Sequence, residues 1–148
     1  MTEAINYTED QSTVEEIHVH LQGCDADFVP RLSSRIDLKA YAKKIFEKST
    51  RLEAWAGQEL IGLIAVYLTN KEAGEGFITN VSVLSAYAGK KVASQLLQNC
   101  IKAAKREGFL KLILEVNKGN ERAINFYKKH NFEIKDNQED HFLMQTSL

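Results

Sequence analysis

The chain has 148 residues, of which 44% are hydrophobic and 26% are charged, and its formal net charge is -1. This length predicts one domain over residues 1–148 with enough apolar side chains for a core. A nearly neutral chain is not the strongly basic kind that binds nucleic acid, and no apolar run approaches the ~20 residues that cross a bilayer. The first residues lack the basic and apolar regions of a secretory signal. We therefore expect a cytoplasmic protein with no nucleic-acid or membrane partner.

The spacing of cysteine and histidine residues indicates no metal site. Cys24 and Cys100 lie far apart, and the four histidines form no metal-binding motif. Two free thiols in a reducing compartment are the simplest interpretation. We expect no metal.

The first fifty residues predict a short strand and two helices. Residues 4–7 fit a strand, and residues 12–23 fit a helix that Gly23 ends. After an irregular stretch, residues 37–49 form a second helix with Asp37 as its N-cap. Its apolar face comprises Leu38, Tyr41, Ala42, Ile45 and Phe46.

The remainder alternates between strands and helices. Strands are expected at residues 51–57, 58–70, 76–83, 109–116, 132–136 and 141–148, and helices at 90–107 and 119–130. The order β-α-α-β-β-β-α-β-α-β-β predicts an α/β layered fold, with a mixed, mostly antiparallel central sheet flanked by helices on both faces. One parallel crossover runs from strand 77–83 through helix 90–107 to strand 109–116.

The last segment bears on the oligomeric state. Residues 141–148 are apolar enough to pair with a second chain, which leaves both a monomer and a homodimer open. We favour the alternative in which this segment completes its own sheet as an edge strand.

The stretch YAGKKVA at residues 87–93 joins a strand to a helix. The first N–H groups of a helix lack partners, and with the helix dipole they form an anion site. Small side chains at Ala88, Gly89 and Ala93 let a ligand approach the backbone, and Lys90 and Lys91 add positive charge. A plain turn with a solvated charged face is the alternative. Neither a P-loop nor a dinucleotide fingerprint is present.

A second stretch, LILEVNKGNERAINFYKKHNF at residues 112–132, resembles the GNAT family of N-acetyltransferases, which transfer acetyl from acetyl-CoA to an amine. The matching positions are Leu114, Glu115, Val116, Asn120, Ala123, Ile124, Tyr127, Lys129 and Phe132. The turn at 87–93 is similar to the CoA-binding segment of that family. The resemblance covers residues ~50 to 137.

The chain departs from the family pattern at several positions. Ala88 replaces an Arg or Gln, and Ser85 replaces a proline. Lys91 replaces a glycine, which is tolerable if its φ is negative, as in a helix. Asn131 also replaces a glycine, and Asn suits a left-handed helix end.

The resemblance implies acetyl-CoA as cosubstrate. Backbone donors from residues 88–93 are then expected to hold the diphosphate, and Val81, Val83 and Asn120 to contact the pantetheine arm. The expected cofactor-binding residues are Val81, Val83, Ala88, Gly89, Lys90, Lys91, Val92, Ala93 and Asn120. For the two valines, simple core packing is compatible with this role.

The resemblance also implies two catalytic residues. Tyr127 is the expected general acid, since its ordinary pKa of ~10 exceeds the ~8.5 of a thiol; the alternative is a core aromatic. Glu115 is the expected base, acting through a water, although a solvent-facing carboxylate paired with Lys111 or Lys118 is the alternative. Glu75 is the reserve candidate, and a backbone N–H near Val83 would stabilise the oxyanion.

The acceptor is expected to be a small-molecule primary amine. The arm at residues 24–49 should form one wall of its site, where Asp25 and Asp27 would attract a cationic amine. Arg31 and Arg35 would pair with a phosphate or carboxylate, because the arm faintly resembles enzymes that act on nucleotide-linked amino sugars. A protein N-terminus or lysine as acceptor, or a non-catalytic CoA-binding module, are the alternatives.

Overall fold

The computed structural model describes residues 4–148. The strands are β1 (Ile5–Glu9), β2 (Thr50–Ala56), β3 (Glu59–Asn70), β4 (Glu75–Val83), β5 (Lys111–Asn117), β6 (Glu133–Asn137) and β7 (His141–Ser147). The helices are α1 (Val14–Cys24), α2 (Leu38–Lys48), α3 (Val92–Arg106) and α4 (Glu121–Lys129), and 3-10 turns lie at Asp25–Asp27, Leu32–Ser34 and Ser85–Tyr87. The predicted order of elements is confirmed.

One seven-stranded sheet contains all of these strands, in the order β1-β2-β3-β4-β5-β7-β6. Neighbouring strands are antiparallel except β4 and β5, which run parallel through the α3 crossover. The predicted crossover and the mostly antiparallel sheet are therefore confirmed. A parallel connection requires a long return path, which the α3 helix supplies.

Helices cover both faces of the sheet, as predicted. On one face, α1 and α2 bury Ile17, Leu21, Ala42 and Ile45 in a core cluster with β3. On the other face, the apolar stripes of α3 and α4 join a larger cluster that includes residues of β2, β4 and β5. Each helix thus packs one apolar stripe against a sheet that is hydrophobic on both sides.

The predicted N-cap of α2 is confirmed, whereas the predicted end of α1 and one residue of the apolar face of α2 are not. Asp37 caps α2 by accepting a hydrogen bond from Lys39 N at 3.0 Å. Gly23 does not end α1, which continues to Cys24; a Cβ at Gly23 would lie 2.8 Å from Leu84 Cδ2, so the end of that side chain would have to move. Phe46 leaves the apolar face and is 42% exposed.

The prediction of an edge strand at the C-terminus is wrong. β7 lies between β5 and β6 and pairs with both. The edge is instead β6, whose five residues are all exposed and include two acidic and one basic side chain. Such a short, charged strand is a poor template for pairing with another chain.

Two residues that replace family glycines adopt the left-handed backbone conformation. Asn131 has φ 70°, as expected of an Asn at a helix end. Lys91 has φ 61°, so the expectation of a negative φ there is wrong. A lysine in this region costs roughly 1–2 kcal/mol that a glycine would not.

Replacing Lys91 by Gly should therefore raise the free energy of unfolding by ~1 kcal/mol, because the strain removed outweighs the stability lost to the greater entropy of the unfolded glycine chain. Denaturant unfolding measures the change. Lys90→Gly is the matched control: the backbone of Lys90 is outside the left-handed region, so this change should lower stability by roughly 0.4–1 kcal/mol. Equal effects of the two variants would contradict the assignment of strain to Lys91.

Candidate active site

β4 and β5 pair over their first halves only and then part. The last paired residues are Ile78 and Leu114, yet β4 continues to Val83 and β5 to Asn117. Past this point the facing edges of the two strands make no ladder with each other. An opening between two central strands is thereby built into the sheet.

Backbone groups of β4 line this opening. A β-bulge against β3 leaves Thr79 as an extra residue, and beyond it Leu84 N–H donates to Ile61 O on β3 at 2.8 Å. Because backbone groups alternate along a strand, those of Val81 and Val83 point away from β3 and into the opening. These are the two strand residues that were predicted to contact the cofactor.

Tyr41 on α2 holds the bulge in place. Its hydroxyl donates to Thr79 O at 2.7 Å and lies 2.8 Å from Thr79 Oγ1. Burial raises the pKa of Tyr41 to about 12, so the hydroxyl remains a donor. The helical arm thus connects directly to the part of β4 that borders the opening.

A groove of about 520 Å³ runs from the opening to the start of α3 and is called the α3 groove here. Eight of the nine residues predicted to bind the cofactor line it: Val81, Val83, Ala88, Gly89, Lys91, Val92, Ala93 and Asn120. Lys90 does not line the groove, and its Nζ lies 5.5 Å from the centre of the Tyr87 ring. The predicted residues therefore converge, with this one exception.

The groove offers unpaired backbone donors at the α3 N-terminus. The first hydrogen bond into the helix is donated by Gln95 to Lys91 O at 3.1 Å, and no side chain caps the helix. The preceding N–H groups of α3 are therefore available, and a Cβ at Gly89 would meet no atom within 4 Å. Open space beside free donors fits an anionic group such as a diphosphate.

A second cavity of about 310 Å³ lies between β4 and β5 and is called the β4–β5 cavity here. Its walls come from both strands, from the start of α4 and from the segment that follows α1. It shares Val81, Val83, Asn120 and Tyr127 with the α3 groove. The two spaces therefore meet, and Tyr127 lies where they do.

Tyr127 is buried to 8% exposure between the rings of Phe126 and Phe132, whose centres lie 5.4 and 5.7 Å away. Burial raises the pKa of Tyr127 well above its ordinary value. The described residues supply no hydrogen bond to its hydroxyl. A hydroxyl of this kind keeps its proton at neutral pH and is free to donate it.

Asn120 contributes to both the fold and the groove. Its Oδ1 accepts a hydrogen bond from Ala123 N at 3.2 Å, which caps α4. With the oxygen engaged in this way, the Nδ2 group is the part left to donate to a ligand. Asn120 and Tyr127 are seven residues, or about two helical turns, apart and line the same two spaces.

Glu115 lies in the β4–β5 cavity, on β5 just past the point where the strands part. Its partner is neither Lys111 nor Lys118: its Oε2 lies 3.6 Å from His141 Nε2. His141 Nδ1 lies 2.8 Å from Asp140 Oδ1, and both residues also line this cavity. The sequence reasoning missed His141 and Asp140, which reach Glu115 only because β7 pairs with β5.

The reserve candidate Glu75 lies elsewhere. Its Oε1 is 3.6 Å from Lys111 Nζ, at the end of β4 where the two strands are still paired. Several residues separate it from the opening. Glu75 is therefore remote from the junction of the two spaces.

The charged residues of the arm divide into structural and cavity-lining groups. Asp25 accepts hydrogen bonds from Ser33 N and Oγ at 2.7 and 2.6 Å, and Arg31 lies 4.0 Å from the same carboxylate. Asp27 lines both the α3 groove and the β4–β5 cavity, and Arg35 lines the cavity. Of the four predicted charges, these two face the site.

A chain of buried hydrogen bonds lies beneath β4. Leu60 O lies 2.9 Å from His20 Nδ1, and since a carbonyl only accepts, this nitrogen carries the proton. His20 Nε2, 2.9 Å from Ser82 Oγ, therefore accepts from the hydroxyl, which in turn accepts from Asn80 Nδ2 at 2.9 Å. The chain fixes the side chains behind the cavity wall, and burial lowers the pKa of His20 to about 4.

Among residues 4–148, no three His, Cys, Asp or Glu side chains cluster in a way that could hold a metal ion. Within the same range, no helix combines the length and the hydropathy needed to span a membrane.

Comparison with known proteins identifies relatives of this chain. The model of the Acetyltransferase (GNAT) family matches residues 14–132. A spermidine N(1)-acetyltransferase from Thermoplasma acidophilum is 29% identical over 94 residues, a match that covers 64% of this chain and 56% of the relative's length. The chain therefore spans little more than half of that relative.

Solved structures share the fold. The PaiA N-acetyltransferase from Thermoplasma acidophilum in complex with coenzyme A has a TM-score of 0.77 at 18% identity, covering 98% of this chain and 99% of that one. The ribosomal-protein-S18-alanine N-acetyltransferase from Escherichia coli has a TM-score of 0.78 at 17% identity, covering 97% and 94%. At this identity, the likeness establishes the fold.

The buried His20 should make stability depend on pH. Its folded-state pKa of about 4 is below the unfolded value of ~6.5, so the unfolded chain binds the proton first as pH falls. Stability is therefore lost between those values, by roughly 2 kcal/mol from pH 7 to pH 5. Urea unfolding of the wild type and of His20→Asn at pH 7 and pH 5 measures how much each protein's free energy of unfolding changes between the two pH values.

The matched control is His18→Asn on the same helix, since His18 makes no hydrogen bond or ion pair with the described residues. It should keep the wild-type pH dependence. If His20→Asn loses as much stability as the wild type between pH 7 and pH 5, then His20 is not the cause of the pH dependence.

Proposed function

The chain belongs to the GNAT acetyltransferase family, and we propose that it transfers acetyl from acetyl-CoA to the primary amine of a small molecule. The observation that carries the proposal is the junction at Tyr127 of two spaces with different chemistry. The α3 groove offers backbone donors to an anion. The β4–β5 cavity offers carboxylates to a cation.

The α3 groove is the proposed site of acetyl-CoA, which supplies the acetyl group as an activated thioester. Free N–H groups at the start of α3 would hold the diphosphate, and Lys91 adds a positive charge at the same place. The backbone groups of Val81 and Val83 would pair with the pantetheine arm as an additional strand does. Asn120 Nδ2 would donate to the same arm.

Tyr127 is the proposed general acid. It lies at the junction, and its raised pKa keeps the phenolic proton in place until the sulfur leaves. Because the ordinary pKa of a thiol, ~8.5, is below that of a tyrosine, complete transfer of the phenolic proton is uphill, and the hydroxyl would act by donating a hydrogen bond to the sulfur as negative charge develops there. Val83 N–H, directed into the opening, is the proposed donor to the developing oxyanion.

Glu115 is the proposed base, because it is the strand carboxylate on the β5 wall of the cavity. An amine attacks only after losing its extra proton, so a proton acceptor must stand in the acceptor's space. Asp27 at the junction adds negative charge that favours a cationic amine.

Two cationic side chains, Arg35 and Lys44, lie beyond the carboxylates and favour an acceptor that also carries an anionic group. A third cavity of about 540 Å³ adjoins the β4–β5 cavity at Arg35 and Thr79 and extends along α2 to Lys44. Among the described residues, neither Arg35 nor Lys44 makes an ion pair. An amine that carries a phosphate or carboxylate at its other end would match both regions, which supports a nucleotide-linked amino sugar.

Replacing Tyr127 by Phe should lower kcat by about 100-fold, since one hydroxyl oxygen and its transferable proton are lost while the ring packing stays. The dissociation constant of acetyl-CoA should not change. Thiol release with an active amine measures kcat, and the shift of Tm with acetyl-CoA measures binding. Unchanged turnover would remove Tyr127 from the mechanism.

Replacing Arg35 by Gln should lower kcat/KM about tenfold or more for amines bearing a distant phosphate or carboxylate, because a charge-assisted contact is lost. A diamine of the same length should be unaffected or improved. Arg31→Gln is the matched control, since that guanidinium faces Asp25. Preference for peptide N-termini or lysine side chains over all small amines would favour the alternative, a protein acetyltransferase.

A further inference from the structure

We propose that Glu115 and His141 act as one proton-accepting pair for the amine, with Asp140 as the residue that positions the imidazole. This inference rests on the proposed function, because it concerns the acceptor side of the same junction. It extends the assignment of the base from one carboxylate to a chain of three side chains that leads to solvent.

The three side chains form a row on one wall of the β4–β5 cavity. Glu115 Oε2 lies 3.6 Å from His141 Nε2, and His141 Nδ1 lies 2.8 Å from Asp140 Oδ1. All three residues line the cavity. The row therefore begins where an acceptor would sit and ends at the cavity rim.

The protonation state of the imidazole follows from this geometry. The carboxylate of Asp140 only accepts, and at 2.8 Å it takes a hydrogen bond from His141 Nδ1, which therefore carries a proton. This bond is the largest cause of the lowered pKa of Asp140. In the neutral ring, Nε2 is then a bare acceptor that faces Glu115.

Two acceptors that face each other favour the uptake of one proton. At 3.6 Å, Nε2 and Oε2 face each other but are too far apart for a direct hydrogen bond. A proton on either atom converts the unfavourable approach of two lone pairs into a charge-assisted contact.

The proton transfer balances without another reactant. The amine nitrogen releases its extra proton to the pair and keeps its electron pair, which then forms the new bond to the acetyl carbon. The side chain of Glu115 is 54% exposed, that of His141 32% and that of Asp140 80%, so all three members of the row are open to water. The pair can therefore pass its proton to water and be ready for another turnover.

Other charges face this row. Lys118, from the loop after β5, acts electrostatically on Asp140, with its Nζ 5.3 Å from the Phe142 ring. From the opposite wall, Asp27 and Arg35 line the same cavity. These charges of both signs surround the row, and no other histidine of the described residues lines the cavity.

The fold does not depend on these side chains. The backbone register places Asn117 opposite His141, and Lys118 N–H donates to Asp140 O at 3.0 Å. The β5–β7 ladder is therefore formed by main-chain groups, and side-chain substitutions at the row should leave it intact.

The decisive experiment is chemical rescue of His141→Ala. With acetyl-CoA and the best amine found for the wild type, kcat should fall about 100-fold, and the dissociation constant of acetyl-CoA should stay the same. Imidazole added to the buffer should restore activity, because it can occupy the space left by a partly exposed side chain. His18→Ala, outside the cavity, should keep wild-type activity and show no response to imidazole.

Two further variants separate a catalytic role from a structural one. Asp140→Asn should lower kcat with little change in the acceptor KM, because an amide can donate as well as accept and no longer fixes the tautomer. The double variant of Glu115→Gln and His141→Ala should lose no more activity than the worse single variant, as expected of groups acting as a unit.

Full activity of His141→Ala, or a loss that imidazole does not restore, would overturn the inference. So would additive losses in the double variant. The wild type is tested first: if it binds acetyl-CoA but acetylates no amine, the proposed function fails. Activity of the wild type with an unaffected His141→Ala makes only the inference fail.

Discussion

The parting of β4 and β5 is the constraint on which the site depends. A sheet gains stability from continuous ladders, so ending a central ladder after Ile78 and Leu114 leaves backbone groups that need other partners. The bulge at Thr79, which Tyr41 holds from α2, turns the groups of Val81 and Val83 towards the gap. The opening is thus an unfilled position in the sheet, suited to a ligand with strand-like polar groups.

The two faces of the sheet contribute different parts of the site. The α3 face brings a helix N-terminus with unpaired donors to one end of the opening. The α1–α2 face supports β4 from behind, through the chain that runs from Leu60 O through His20 and Ser82 to Asn80. A rigid wall on one side and free donors on the other define where the cofactor and the acceptor would meet.

Local sequence signals predicted most of the fold because the stabilising patterns were local. Asp37 is followed by a helical stripe, and α3 has an amphipathic period bounded by Gly108, whose φ is 83°. The conformation of such elements can be predicted from the residues within them and at their ends. Among the expectations that failed are two at single residues: Gly23 lies inside α1, close to Leu84, and Lys91 takes a left-handed φ that a lysine rarely adopts.

The sequence by itself determined the order of elements, because strand and helix patterns are local, and its resemblance to the GNAT family supplied eight positions that line the α3 groove. Only the tertiary structure decided which charges share the acceptor cavity. Strand pairing brings Asp140 and His141 to Glu115, and the fold of the arm engages Asp25 while Asp27 faces the junction. Contacts between residues far apart in sequence depend on sheet register and packing, which no local pattern encodes.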